Sequence, residues 1–328
     1  MGRAGWRRRK TALLIGVAFL AAGLGVLAYA THLLRRSELQ TVDARFSIRG
    51  SKPPPSDVVI VQIDNRTLVE LKRHGMKSQY PFPRRYEARV IDRLREAGAK
   101  VVAVDIQFTQ PTDPTDDGDL AEAIERARGK VVLATTEVES NGETRVFGGN
   151  HVLGELGARA ASAVPTVDTD GVIRRLPYAE HGLKSFPVAA TEIATGHSVP
   201  ASLFGGGPLP IDFVGPPETF HHSSFYDVLT AKPNPRSFAG RVVIVGASAP
   251  ILQDVHASAT TNGASMSGPE IWASSISTLL RGAPLRNVPG WLNVLLIVLL
   301  AAIAPLGSLR LKPLRALLGA IAAAALFA

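Results

Sequence analysis

Cysteine is absent from all 328 residues. No disulfide can staple the fold, so any folded segment must rest on its own apolar core. The usual signatures of built chemistry are missing too. There is no CxxC, HxxxH or HExxH spacing for a zinc site. Ser248 in RVVIVGASAP is not in a GxSxG elbow, because Ala249 is followed by Pro250. The run FGGGP (204–208) lacks both GxGxxG spacing and a following Lys-Ser/Thr, which leaves no phosphate loop to infer. The acidic loop TDPTDDGDL (112–120) places Asp113, Asp117 and Gly118 at positions 1, 5 and 6 of an EF-hand. Thr115 and Ile124 nevertheless stand at positions 3 and 12, where calcium ligands belong. The adjacent His221 and His222 would point to opposite sides of an extended strand, and neither they nor the pair Asp254 and His256 fall in a metal spacing. On these grounds no catalytic residue, metal or cofactor is assigned.

Net charge is also missing from the middle of the chain. The formal charge of +8 comes entirely from the two ends: Arg3, Arg7, Arg8, Arg9 and Lys10 before residue 11, and Arg310, Lys312 and Arg315 after residue 308. The segment between carries 28 basic and 28 acidic residues. A neutral segment of this kind argues against a phosphate-tracking surface, so no nucleic-acid partner is expected.

What is present is apolar length at both ends. Residues 11–34 and 288–308 are long enough to span a bilayer, and neither contains a Lys, Arg, Asp or Glu. With basic residues flanking them, the positive-inside rule places the N-terminus and residues 309–315 in the cytoplasm and residues 35–287 outside it. The competing reading is a cleaved secretory signal, with RRRK before an apolar core and Ala28-Tyr29-Ala30 as its small-residue site. The run exceeds the 7–15 residues of a signal core. The expected organisation is a basic N-terminus (1–10), a membrane helix (11–34), a Pro-rich linker (35–56), an extracytoplasmic domain (57–287), a second membrane helix (288–308), a cytoplasmic turn (309–315) and the start of a further membrane helix (316–328). The location is therefore a multi-pass cell-membrane protein.

In the exported segment one element recurs: VVIVQID (58–64), KVVAVDIQF (100–108), KVVLATTEV (130–138), IDFVG (211–215) and RVVIVGASA (241–249). Short β-branched runs bounded by turn residues suit strands buried on both faces. Amphipathic helices are predicted over 83–97 and 117–128, each ending at a glycine, with shorter ones over 187–196 and 223–230. A last helix, PEIWASSISTLLR (269–281), has proline at its start and Ile271, Ser275, Ile276 and Leu279 along one face. The alternation predicts an α/β fold, a mixed, mainly parallel sheet with flanking helices, with hairpin or edge strands between 137 and 175. Asp64 and Asp105 close buried strands, at the end where open α/β sheets bind ligands. Each could instead cap the following turn or pair with Arg84 or Arg85.

The stretches IDNRTL, YPFPRRYEARVIDRLREAGAKVVAVDIQFTQP, DGDLAEAI, KVVLA, IDFVGP, FYDVL and RVVIVGASAPILQD resemble the type-two CHASE sensor domains of bacteria, over residue 39 to the second membrane helix. Residues 81–108 carry the most specific part. Tyr80 and Phe82 stand where the family usually has tryptophan. Asp254 matches the family's late aspartate, while 259–261 lacks its Thr-Pro pair. The resemblance implies a sensor for an extracytoplasmic ligand or protein partner, membrane helices, and a cytoplasmic output module, a nucleotide cyclase or a histidine or Ser/Thr kinase, working as a homodimer. It also implies that the chain stops inside its membrane bundle. The residues expected to face a ligand are Asp64, Arg84, Asp105, Gln107, Ser248 and Asp254. An exported membrane-anchored hydrolase using Asp64 and Asp105 is the alternative.

Overall fold

A computed structural model describes residues 3–33, 35–231, 233–260, 264–285, 288–309, 311, 314–316 and 318–319. Two compact units result: residues 1–45 with 287–328, and Phe46–Arg286.

The first unit is built on two apolar helices, α1 (Arg3–Ala30) and, at the far end of the chain, Gly290–Gly307. Both are long and apolar enough to cross a membrane. They pack together closely enough that a Cβ at Gly25 would lie 2.8 Å from Ile297, and Asn293 donates to the Tyr29 hydroxyl at 3.2 Å. Gly25 thus serves a contact between these two helices. The tail expected to begin another membrane helix falls mostly outside the described residues.

After α1 comes α2 (Arg35–Arg49), so the polar stretch expected within the linker is helical as far as Arg49. Then follow β1 (Val58–Ile63), α3 (Asn65–Arg73), α4 (Arg85–Glu96), β2 (Val101–Asp105), α5 (Pro114–Arg126), β3 (Val131–Thr135), α6 (Asn150–Glu155) and β4 (Ala158–Ser162). The chain continues through β5 (Thr166–Val167), β6 (Val172–Leu176), β7 (Ala179–Glu180), β8 (Leu183–Lys184), α7 (Phe186–Thr195), β9 (Leu209–Pro210) and β10 (His222–Ser224). The remaining elements are α8 (Phe225–Thr230), α9 (Pro235–Phe238), β11 (Val242–Ala247), β12 (Val255–Ser258), β13 (Met266–Ser267), α10 (Gly268–Leu280) and the apolar α11 (Gly290–Gly307).

The main sheet has the order β10-β1-β11-β2-β3-β4, and every pairing in it is parallel. Alternation divides each central strand between two cores. Val59, Val61, Val102, Val104, Val243 and Val245 face a layer containing α4, α5 and α8. Val58, Ile60, Val101, Ala103, Val242 and Ile244 face α7 and α10. Burial on both faces is why these strands read as continuous apolar runs rather than alternating ones. The mixed character expected from residues 137–175 resides in a separate sheet, β13-β12-β6-β5 with β9 against β6, where most pairs are antiparallel. The β7–β8 hairpin turns on His181 and Gly182, both at positive φ (47° and 88°), the handedness a two-residue hairpin requires.

Two expectations need correction. IDFVG is buried but is not a strand. Ile211 donates its N–H to the Arg174 carbonyl, Asp212 to the Thr278 hydroxyl, and the Val214 carbonyl accepts from Lys52, so these groups bond to scattered partners and not to one neighbouring strand. Helix α10, read as buried along one face, is buried from Gly268 to Leu279 all the way round, being enclosed between the main sheet, α7 and the strands of the second sheet.

Candidate functional site

In an open parallel sheet, ligands bind beyond the carboxyl ends of strands where successive connections leave toward opposite faces. Here that point is β11. The chain after β2 leads to α5 in one layer, whereas the chain after β11 leads to α10 in the other. Because β11 is inserted between β1 and β2, its end faces Asp105 directly, with Gly246 opposite Asp105 in register. Glycine is needed there: a Cβ at Gly246 would lie 2.6 Å from Pro269 Cγ and 3.1 Å from Asp105 Cβ. The missing side chain lets the start of α10 descend onto the sheet.

Two carboxylates meet the first turns of α10. Asp105, partly accessible to solvent, accepts a hydrogen bond from the Trp272 indole. Asp254 accepts the Gly268 N–H on its backbone carbonyl at 3.0 Å, and its carboxylate lies against Gly268, with both oxygens 2.4 Å from where a Cβ would stand. A negative charge at a helix start is favourable. His256 Nε2 lies 3.1 Å from Asp254 Oδ1. Burial, then the charge of Asp254, push the Asp105 carboxyl well above the carboxylate range, with the Trp272 bond opposing. Tyr80, on the turn before α4, is likewise raised by burial and by Glu87, Asp105 and Asp254. No Lys or Arg forms an ion pair with Asp105 or Asp254 among the described residues. The arrangement sets two carboxylates against a helix start, with burial favouring the uncharged form of Asp105.

The six residues expected to face a ligand are thus separated. Asp105 and Asp254 come together, and Ser248 lies in the turn after β11, its N–H bonded to the Ile63 carbonyl at 3.1 Å. Asp64 caps α3, accepting from the Thr67 N–H and hydroxyl at 2.7 Å and from the Ser224 hydroxyl at 2.8 Å. Arg84 pairs with Asp117 at 2.9 Å and donates to the Gln110 carbonyl, rather than turning to Asp64. Gln107 is exposed and donates to the Thr136 hydroxyl. The acidic loop is a helix start, with Asp113 capping Thr115 and Asp116.

Sequence reasoning missed Glu87 and Asp212, both buried carboxylates. Each had a signal. Glu87, Ile91 and Leu94 share the i, i+4, i+7 spacing of one helix face, and Asp212 interrupts an apolar run. A tryptophan within an apolar helix reads as core, so nothing local in the sequence marks Trp272.

The two glycines of the site predict contrasting outcomes. Gly246→Ala meets a proline ring and a strand, which cannot swing aside, and should cost about 1–3 kcal/mol in chemical denaturation. Gly268→Ala meets only a carboxylate tip, so it should cost less than Gly246→Ala while expelling Asp254 from its contact with His256, read as a change in the His256 ring resonances by NMR at fixed pH. Equal costs would show that the start of α10 is not seated as described.

No curated protein and no solved structure matches this chain. Residues 14–306 match the CHASE2 domain family, a sensory domain family of transmembrane receptors, and on a match across most of its length the chain belongs to that family.

Proposed function

We propose that this chain is the sensory part of a transmembrane signalling receptor, with the Phe46–Arg286 unit outside the cytoplasm. In this reading the acid pair Asp105 and Asp254 is the place where a ligand or protein partner biases the domain. The bias passes along α10 into α11 and on to a cytoplasmic output module, a nucleotide cyclase in first place and a histidine or Ser/Thr kinase in second, acting as a homodimer. The basic flanks of the apolar helices support the topology. The observation that carries the reading is the gripping of α10 at both ends. Asp105 and Asp254 hold its first turns, and Asp212 holds its end through Arg281 at 3.1 Å. A change at the acid pair therefore bears on the helix whose chain continues toward α11. The hydrolase alternative loses Asp64, which is committed to its cap.

The test joins the chain to a reporter adenylate cyclase. Asp105→Asn fixes the side chain in its uncharged form, so that it can no longer release its proton beside Asp254, and should shift basal output about fivefold, the response to a bias of about 1 kcal/mol between two states, while the melting temperature holds or rises. Unchanged output with a folded domain would remove the acid pair as the sensing point.

A further inference from the structure

A concavity lies apart from the acid pair, neither of whose residues lines it. It has a volume of about 420 Å³, the size of a small organic ligand, and lies beyond the carboxyl ends of β2 and β3, between the segments that leave them. Its floor is Arg84, only 7% exposed. The Arg84 guanidinium carbon stands 5.4 Å from the Phe108 ring centre and 5.8 Å from that of Phe147. One guanidinium nitrogen is bonded to Asp117 and another to the Gln110 carbonyl. Burial alone would raise the Asp117 carboxyl, but hydrogen bonds from Thr112 and the charge of Arg84 hold it below its ordinary value. Arg84 and Asp117 therefore form a fixed ion pair, neutral overall.

The other cation lining the groove is Arg145. Its side chain is 74% exposed at the rim, and its acid partner Glu139, at 3.8 Å, does not line the groove. Beside it Phe147 sits at φ 52° and ψ 39°, the left-handed region that an aromatic residue adopts only under constraint. Its N–H is bonded to the Phe108 carbonyl at 2.9 Å. A hydrogen bond across the groove thus holds the ring, partly exposed, next to a cation with donors to spare.

We propose that this groove binds a small planar aromatic carboxylate, whose ring packs on Phe147 and whose carboxylate takes the Arg145 guanidinium in a paired hydrogen bond. Arg84 is a positioning residue for both rings. A cationic ligand of the same shape is excluded by Arg145.

The probe is benzoate, titrated calorimetrically against the full chain in lipid nanodiscs, with benzamidine as the cation of matched shape and cyclohexanecarboxylate as the non-planar acid. Benzoate should bind saturably and the two controls at least tenfold more weakly. Arg145→Gln, at an exposed position, should weaken benzoate by about tenfold or more. Phe147→Gly should do the same while remaining folded, because glycine takes this backbone conformation without penalty. Arg66→Gln, exposed and away from the groove, should leave benzoate affinity unchanged. The assignment is overturned by an absence of saturable benzoate binding, by benzamidine binding as well as benzoate, or by affinity unmoved in both groove variants.

Discussion

Asp212→Ala is expected to cost the Phe46–Arg286 unit about 3 kcal/mol, seen as a lower denaturant midpoint at pH 7. The carboxylate is fully buried and takes three cations: Arg49 at 2.5 Å, Lys52 at 2.7 Å and Arg281 at 3.1 Å. Burial alone would raise its titration, but hydrogen bonds from Lys52 and Arg49 and the charge of Arg281 hold it below the ordinary value. Removing it leaves three like charges around an empty volume. Their side chains are 30–36% exposed, so water relieves part of the loss, and the figure sits at the lower end for a broken buried pair. Asp212→Asn keeps the volume and loses only the charge, so it should recover part of the stability. The node joins the last residue of α2, the extended segment after it and the end of α10. The same variant should therefore uncouple reporter output from Asp105→Asn. A midpoint within experimental error of the parent would show that the three cations do not depend on Asp212.

The second large effect is a stability that falls as pH rises through neutrality. Glu87 is 3% exposed, and its Oε2 has no hydrogen-bond partner among the described residues. Burial pushes its carboxyl up from 4.5 to about 8, against opposing contributions from its own N–H and from Arg84. The folded state therefore binds a proton that the unfolded state has released between pH 4.5 and 8. Stability carried by that proton is complete below 4.5 and is lost as pH climbs toward 8, at up to about 1.4 kcal/mol per pH unit. Asp105, also raised, tilts the curve in the same direction. Asp117, Asp170 and Asp212 are lowered and act oppositely, withdrawing stability only as pH falls below the carboxylate range. The melting temperature should peak near pH 5 and decline toward pH 8. Glu87→Gln should flatten the decline and gain on the order of 4 kcal/mol at pH 8. A parent profile that is flat from pH 5 to 8 would mean that Glu87 finds a counter-charge or water.

Much of the architecture was legible because it rests on local order. The β-branched runs of β1, β2, β3 and β11, the glycines closing α4 and α5, and the two apolar helices are set by residue types within a few positions of one another, so periodicity finds them. IDFVG defeats the same reasoning: its composition is that of a strand, yet its hydrogen bonds go to Arg174, Thr278 and Lys52. The candidate site was half legible. Asp105 could be placed at a strand end, and Asp254 came from the family resemblance, but nothing local distinguishes Asp105 from Asp64, which became a cap. That difference comes from strand order. The insertion of β11 between β1 and β2 places Gly246 against Asp105 and brings α10 down beside them. Asp212 and Arg49 likewise meet across 163 residues of sequence. The sequence by itself determined the central strands β1, β2, β3 and β11, the helices α4 and α5 and the membrane-competent spans, since each follows from neighbours along the chain. Only the tertiary structure decided which carboxylates meet, which cap and which are left buried, because packing places side chains together with no regard to their separation in sequence.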